Sequence, residues 1–220
     1  MFGKTFKILI AALFLPVVVA STKAFFQGLS GIGIFNFNLV IVASGFLAYP
    51  IFHIVFFKPM YIYTIGHEVV HVLATWLSGG KVTSFNVSRS GGSVATTKSN
   101  LFISLSPYFV PIHVIVLLLA YWLLSRFYNL SGFAREFTFL VGFTISFHIF
   151  MTIEVMKARQ SDILKTGYFF SVFFIYTANI FIIFLILSLL FGDVSFLSFA
   201  KNAFALSKEI YINIFNALVK

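Results

Sequence analysis

The sequence predicts an all-α polytopic membrane protein with five to six transmembrane helices and a small β-hairpin after the third. Of its 220 residues, 60% are hydrophobic and only 10% are charged. Its mean hydropathy is +1.02, and apolar runs long enough to cross a bilayer recur along the chain. This composition excludes a soluble enzyme, a disordered chain and a disulfide-rich secreted domain. The absence of cysteine excludes thiolate metal sites and cysteine nucleophiles.

The charge distribution favours a membrane over a nucleic-acid partner. The chain has 15 basic and 6 acidic residues and a formal net charge of +9. The basic residues are spread thinly between apolar runs and form no block of five, so they are typical of topology determinants beside a lipid bilayer. The acidic residues are few, and an ionisable group inside an apolar run indicates function. No nucleic-acid partner is predicted.

The first apolar run covers residues 8–20 and follows two lysines. It is short for a spanning helix. One interpretation is a signal peptide with Val18 and Ala20 at the cleavage-site positions. The other is an uncleaved first span that extends to about Phe26. Both interpretations stay open from the sequence.

The remaining spans follow in order. They are predicted at residues 32–57, 60–77, 101–124, 137–156 and 167–191. Pro107 and Pro111 are expected to kink the fourth span. The tail after Gly192 mixes charged residues with aromatics and leucines, which indicates an amphipathic surface helix. The predicted segments are an anchor or signal-like part at 1–31, a membrane-embedded domain at 32–192 and the tail at 193–220.

The long polar segment at residues 81–100 interrupts the apolar pattern. Its two parts at 81–87 and 93–98 are rich in Val, Thr and Ser, and they flank a turn-like cluster at 88–92. This pattern predicts a β-hairpin. Unpaired strand edges are not viable in lipid, so the hairpin is expected at the membrane surface or in a protein-lined cavity.

The third span carries the motif His67-Glu68-Val69-Val70-His71. On a helix, positions i and i+4 share one face, so both imidazoles can bind one Zn²⁺. Glu68 lies beside that face, where it can act as general base toward water. Chance produces this pattern about 0.003 times in a chain of this composition. The alternative is a pair of hydrogen-bonded intramembrane histidines with a buried, protonated glutamate, but a metal better compensates the desolvation of three ionisable groups.

A catalytic zinc site usually takes a third protein ligand. The candidates from the sequence are His53, His113, His148, Glu154 and Asp162. Alternating spans place the end of the fifth span on the same membrane side as His71, which favours the last three candidates. Asp162 has a further interpretation as the N-cap of the sixth span.

The chain resembles the site-2 protease group of intramembrane zinc metalloproteases, in particular the short forms without a PDZ domain. The resemblance rests on the HExxH motif, on 77–82 (Leu-Ser-Gly-Gly-Lys-Val), on Gly91-Gly92 and on 104–108 (Ser-Leu-Ser-Pro-Tyr). It covers about residues 60–190.

The resemblance implies an aspartate on a later core span as third ligand, within an Asp-Gly type motif. Asp162 is the nearest counterpart, although its glycine, Gly167, comes five residues later rather than next. Glu154 is the rival ligand, because gluzincin-type membrane proteases such as the prenyl-protein endopeptidases use a downstream glutamate. Those proteins have an aspartate four residues further on, where this chain has Ala158.

We therefore expect a zinc-dependent membrane metallopeptidase that is multi-pass and resides in the cell or plasma membrane. His67, His71 and Asp162 are its expected metal ligands, and Glu68 is its expected catalytic base. Its substrates would be membrane proteins or peptides, cleaved in or near transmembrane segments. The hairpin would hold the substrate as an added strand. The alternative is a non-proteolytic membrane protein with a structural or binding metal site. The sequence does not predict an oligomeric state.

Overall fold

The computed structural model describes residues 4–32, 36–88, 91–158 and 160–219. It is 79% helical and contains one two-stranded antiparallel sheet. The helices are α1 (Lys4–Ser30), α2 (Phe37–Val55), α3 (Met60–Leu77), α4 (Leu101–Phe109), α5 (Ile112–Leu124), α6 (Ala134–Lys157), α7 (Ser161–Thr166), α8 (Tyr168–Leu190) and α9 (Phe196–Val219). The strands are β1 (Val82–Ser88) and β2 (Gly91–Thr96).

Four of the described helices, α1, α2, α6 and α8, are long and apolar enough to cross a membrane. The α4–α5 pair adds a fifth if it counts as one span. This set of helices fits a multi-pass membrane protein. Helix α3 is not among them, because its glycine, histidines and glutamate lower its hydropathy. The prediction that α3 crosses the membrane therefore stays a prediction.

The predicted kink in the fourth span is confirmed and is larger than a simple bend. Helices α4 and α5 meet at 66° across a short break at Val110 and Pro111. Pro111 has no N–H to continue the helical ladder, whereas Pro107 is accommodated inside α4. The break turns the chain so that α4 lies against α3.

The chain divides into two compact units, residues 35–162 and residues 1–34 with 163–220. In the second of these, α1 packs against α8 and α9. Thr22 of α1 hydrogen-bonds Tyr176 of α8 at 3.0 Å. Asn202 of α9 donates to Gln27 of α1 at 2.9 Å. The predicted tail is thus a helix, α9, and it packs along α1.

The candidate site lies within residues 35–162. Its largest helix contact joins α2 to α6. Two glycines let the two backbones approach closely. A Cβ on Gly45 of α2 would lie 2.0 Å from the carbonyl oxygen of Phe139. A Cβ on Gly142 of α6 would lie 2.1 Å from the carbonyl oxygen of Val42. Small residues at such crossings are typical of packed membrane helices.

This close approach leads to a prediction about the stability of the protein. We expect Gly142→Ala to separate α2 from α6 and to destabilise the protein by about 1–3 kcal/mol, the range for overpacked cores. Thermal unfolding of the purified chain in detergent measures it. Ser44→Ala, at an exposed position of α2, is the control and is expected to leave the unfolding temperature nearly unchanged. Equal unfolding temperatures for Gly142→Ala and wild type would contradict the close packing.

The predicted hairpin is confirmed. Strands β1 and β2 pair antiparallel, with Val87 opposite Gly92 and Ser88 opposite Gly91. Helix α3 ends at Leu77 with Ser78 as its C-cap, and the Gly80 N–H then donates to the Thr75 carbonyl at 2.8 Å. Gly79 has φ +67°, which glycine adopts without strain. This turn places β1 directly after the helix that carries the HExxH motif.

Candidate metal centre

His67 and His71 lie one turn apart on α3, as the spacing predicts. Their ring centroids are 5.0 Å apart. Asp162, in the first turn of α7, completes a group whose possible ligand atoms all lie within 4.8 Å of one another. Within the described residues, this is the one set of three or more histidine or acidic side chains close enough to hold a metal ion.

The orientation of His71 suits a metal ligand. Its Nδ1 donates to the Ile103 carbonyl at 2.8 Å. Because a carbonyl oxygen only accepts, Nδ1 carries a proton and Nε2 is left to act as a ligand. That Nε2 lies 3.4 Å from Asp162 Oδ2. Two ligands on a tetrahedral zinc, each about 2.0–2.1 Å from the ion, are separated by about 3.3 Å.

His67 supplies a second observation that fits a metal. Its Nδ1 is buried and has no hydrogen-bond partner among the described residues. A buried polar atom without a partner costs free energy, and a bound cation removes that cost. Two imidazoles and a carboxylate form a donor set that zinc accepts. The residues present therefore fit a zinc ion.

Glu68 lies beside this group and is only 5% exposed. It lines a cavity of about 630 Å³ together with His67, Tyr63, Gly92 and Gln160. The volume falls in the range of ligand-binding clefts. The carboxylate of Glu68 thus faces a space that a substrate and water could enter.

Gly92 at the start of β2 lies directly against Glu68. A Cβ on Gly92 would lie 2.6 Å from Glu68 Oε1 and 2.5 Å from its Cγ. The hairpin therefore confines the Glu68 side chain, and only a glycine at this position leaves room for the observed placement of the carboxylate.

This contact predicts that Gly92→Ala displaces the Glu68 carboxylate. We expect at least about a tenfold loss of any activity that depends on Glu68, with zinc affinity unchanged because no proposed ligand moves. Parallel activity and zinc-binding assays on the purified chain measure both. Gly132→Ala is the control, since nothing lies within 4 Å of a Cβ there. Full activity in Gly92→Ala would contradict the role of this contact.

The other candidate ligands lie outside this group of three. Glu154 pairs with two lysines, with Oε1 at 2.6 Å from Lys58 Nζ and Oε2 at 3.1 Å from Lys157 Nζ. His53 Nδ1 is 3.0 Å from the Tyr49 hydroxyl within α2. His113 Nε2 donates to the Ile62 carbonyl at 3.1 Å. His148 is buried in α6. None of these four belongs to the group that Asp162 forms with His67 and His71.

The interpretation of Asp162 as N-cap of the sixth span is wrong. Helix α8 begins at Tyr168, and the residue at its cap position is Gly167 with φ +103°. Asp162 belongs to the separate short helix α7. An intervening turn between the fifth and sixth spans was not expected, and it is this turn that carries the carboxylate to the histidines.

Several residues around the site were not assigned a role from the sequence. The Tyr108 ring packs edge-on against His67 at 4.9 Å, and the Tyr63 hydroxyl lies 3.0 Å from Thr152 Oγ1. Tyr63 precedes His67 by four residues, so helical periodicity could have placed it on the same face. The Ile103 carbonyl is a backbone group 32 residues beyond His71 in the sequence, and no local pattern predicts its contact with that histidine.

No protein-family model, no curated protein and no solved structure matches this chain. The resemblance to site-2 proteases therefore stays a prediction from the motifs, and function has to be argued from the site itself.

Proposed function

We propose that the chain is a zinc-dependent intramembrane endopeptidase of the site-2 protease type, which hydrolyses peptide bonds in or near transmembrane segments. His67, His71 and Asp162 would hold the zinc, and Glu68 would act as general base. The observation that carries the proposal is the convergence of these three ligands beside a buried glutamate on the wall of a cavity.

The proposed reaction needs both the metal ion and side chains of the protein. When bound, zinc would supply Lewis-acid activation of water and of a carbonyl. Glu68 takes a proton from the attacking water and passes it to the leaving amine. Burial of Glu68 against Gly92 limits its movement, so its carboxylate stays directed at the cavity. The Ile103 carbonyl keeps His71 in the tautomer that binds metal.

The hairpin supports binding of an extended substrate. Among the described residues, the outer edge of each of the two strands has no further strand paired to it, and an extended peptide can add to such an edge. A transmembrane helix must unwind before its bonds are attacked, and strand addition would stabilise the unwound segment. Gly92 places the start of β2 beside Glu68, so a peptide on that edge would pass close to the proposed base.

The multi-pass architecture supports substrates that are themselves in the membrane. Four to five helices suit the bilayer, and the cavity draws its lining from α3, from β2 and from the end of α6. We place the protein in the cell or plasma membrane, with membrane proteins or peptides as partners.

Incubation of the purified chain with solubilised membrane proteins of the expression host tests the proposal. New N-termini, identified by mass spectrometry, are expected within or beside transmembrane segments when zinc is present. They should disappear with 1,10-phenanthroline, a zinc chelator, and return when zinc is added back. The same cleavages with and without chelator would contradict zinc-dependent proteolysis.

A further inference from the structure

Glu154 has both carboxylate oxygens engaged at the edge of the cavity. Lys58 Nζ lies 2.6 Å from Oε1, and Lys157 Nζ lies 3.1 Å from Oε2. Lys157 is three residues further along the same helix, so its contact is local. The Lys58 contact joins residues 96 positions apart in sequence. It therefore links two separate elements, whereas the Lys157 contact does not.

The two linked elements are those that carry the proposed ligands. Lys58 lies two residues before α3 begins, and α3 carries His67 and His71. Glu154 is in the last turn of α6, eight residues before Asp162. The side chains of Lys58 and Glu154 also line the same cavity as His67.

Buried contacts join these two elements beside the cavity, since Met60 of α3 and Val155 of α6 both pack against the apolar cluster that includes Tyr63. Tyr63 of α3 reaches Thr152 of α6 through their hydroxyl groups, which are 3.0 Å apart and buried. The Lys58–Glu154 pair lies beyond it, with side chains 47% and 26% exposed. The ion pair thus adds a charged link to these buried contacts, at the end of α6 nearest to Asp162.

We propose that the Lys58–Glu154 ion pair positions Asp162 against His67 and His71, so that Glu154 supports the metal centre without being a ligand. This inference rests on the proposed zinc site. Zinc needs its ligands in a narrow geometry, and a carboxylate on a short turn after α6 is placed only as well as the end of α6 is held. Residues that hydrogen-bond directly to a metal ligand typically change metal affinity about 10–100-fold, and we expect this indirect support to act at the lower end of that range.

A purely structural role predicts something different. A partly exposed ion pair contributes about 0–1 kcal/mol to stability, and its loss would leave zinc affinity unchanged. A role as ligand also predicts something different, because lysine at position 154 could not replace a metal-binding carboxylate. Exchanging the two charges therefore separates positioning from both other roles.

The experiment measures zinc affinity of the purified full chain by competition with a chromophoric chelator. We expect Lys58→Met and Glu154→Gln each to weaken binding about tenfold. The double variant Lys58→Glu/Glu154→Lys should recover to within about threefold of wild type. Lys157→Met removes the local lysine, whose side chain is 69% exposed. It is the matched control and should change affinity less than twofold, by about the amount expected of a surface pair.

Hydrogen exchange of residues 155–158 and 160–162 in the zinc-free protein gives a readout independent of the metal. Exchange should be faster in Lys58→Met and Glu154→Gln and should return toward wild type in the double variant. Unchanged affinity and exchange in the single variants would overturn the inference, as would a loss that the charge exchange does not recover. If the wild-type chain binds no zinc, the proposed function itself fails, which is a distinct result.

Discussion

Replacing Glu68 with glutamine is expected to lower peptide hydrolysis at least about 100-fold while zinc remains bound. Glutamine keeps the size of the side chain, so it fits the space against Gly92 that the carboxylate occupies. It cannot take up a proton from water, and the step assigned to Glu68 is lost. The measurement is the initial rate of cleavage at the sites that wild type cuts, with zinc content determined on the same preparations.

Glu136→Gln is a suitable control for this experiment. Glu136 is an exposed residue in the first turn of α6, and the same change of acid to amide there is expected to leave the rate unaltered. A Glu68→Gln variant that cleaves as fast as wild type would remove Glu68 from the mechanism. A variant that loses its zinc would show that the residue supports the metal instead.

Replacing Asp162 with asparagine is expected to weaken zinc binding by more than about 100-fold, beyond the loss typical of residues that only orient ligands. Asparagine has the same shape but no charge, and it leaves the His71 Nε2 facing a neutral amide in place of the carboxylate oxygen at 3.4 Å. Competition with a chelator measures the affinity. Circular dichroism of the zinc-free variant shows whether it folds.

Asp193→Asn provides the matched control, since Asp193 is exposed and belongs to the other compact unit. Wild-type affinity is expected for it. If Asp162→Asn binds zinc as tightly as wild type, Asp162 is not the third ligand. If Glu154→Gln alone abolishes binding, the glutamate is the ligand and the positioning role of its ion pair is also wrong.

Local sequence patterns predict most of the helices and the two strands of the fold. The apolar run at Met60–Leu77 has the same bounds as α3, and the Val- and Thr-rich segments after it form β1 and β2. These features depend on neighbouring residues, namely hydropathy, glycine at helix ends and turn composition. The break between α4 and α5 was expected as a kink because Pro111 cannot donate a hydrogen bond, but its 66° angle depends on packing against other helices.

The arrangement of the site residues could be predicted from the sequence only where those residues are close together in the chain. The spacing of His67, Glu68 and His71 determines their arrangement on one helix. The approach of Asp162 depends on α7, a turn of six residues whose pattern is too short to predict. The Gly92–Glu68 contact and the Lys58–Glu154 pair join distant segments, and a single sequence does not encode such distances in any local pattern.

His53 and Asn179 show the same limit in a different way. Each is a polar residue in a predicted span, where a hydrogen bond to another helix is one way to satisfy it. The structure places the Tyr49 partner of His53 within α2, and Asn179 donates to the Ile175 carbonyl of its own helix at 2.9 Å. A polar side chain in an apolar helix needs a partner, but the sequence does not say whether that partner is one turn away or on another helix.

The zinc content of the purified full chain tests the central claim most directly. After exposure to zinc and removal of the excess, we expect about one zinc per wild-type chain and almost none in His67→Ala/His71→Ala. The double variant must first show the helical circular dichroism of wild type. A wild-type chain without zinc, or equal zinc in both proteins, would contradict a metal centre built on these two histidines.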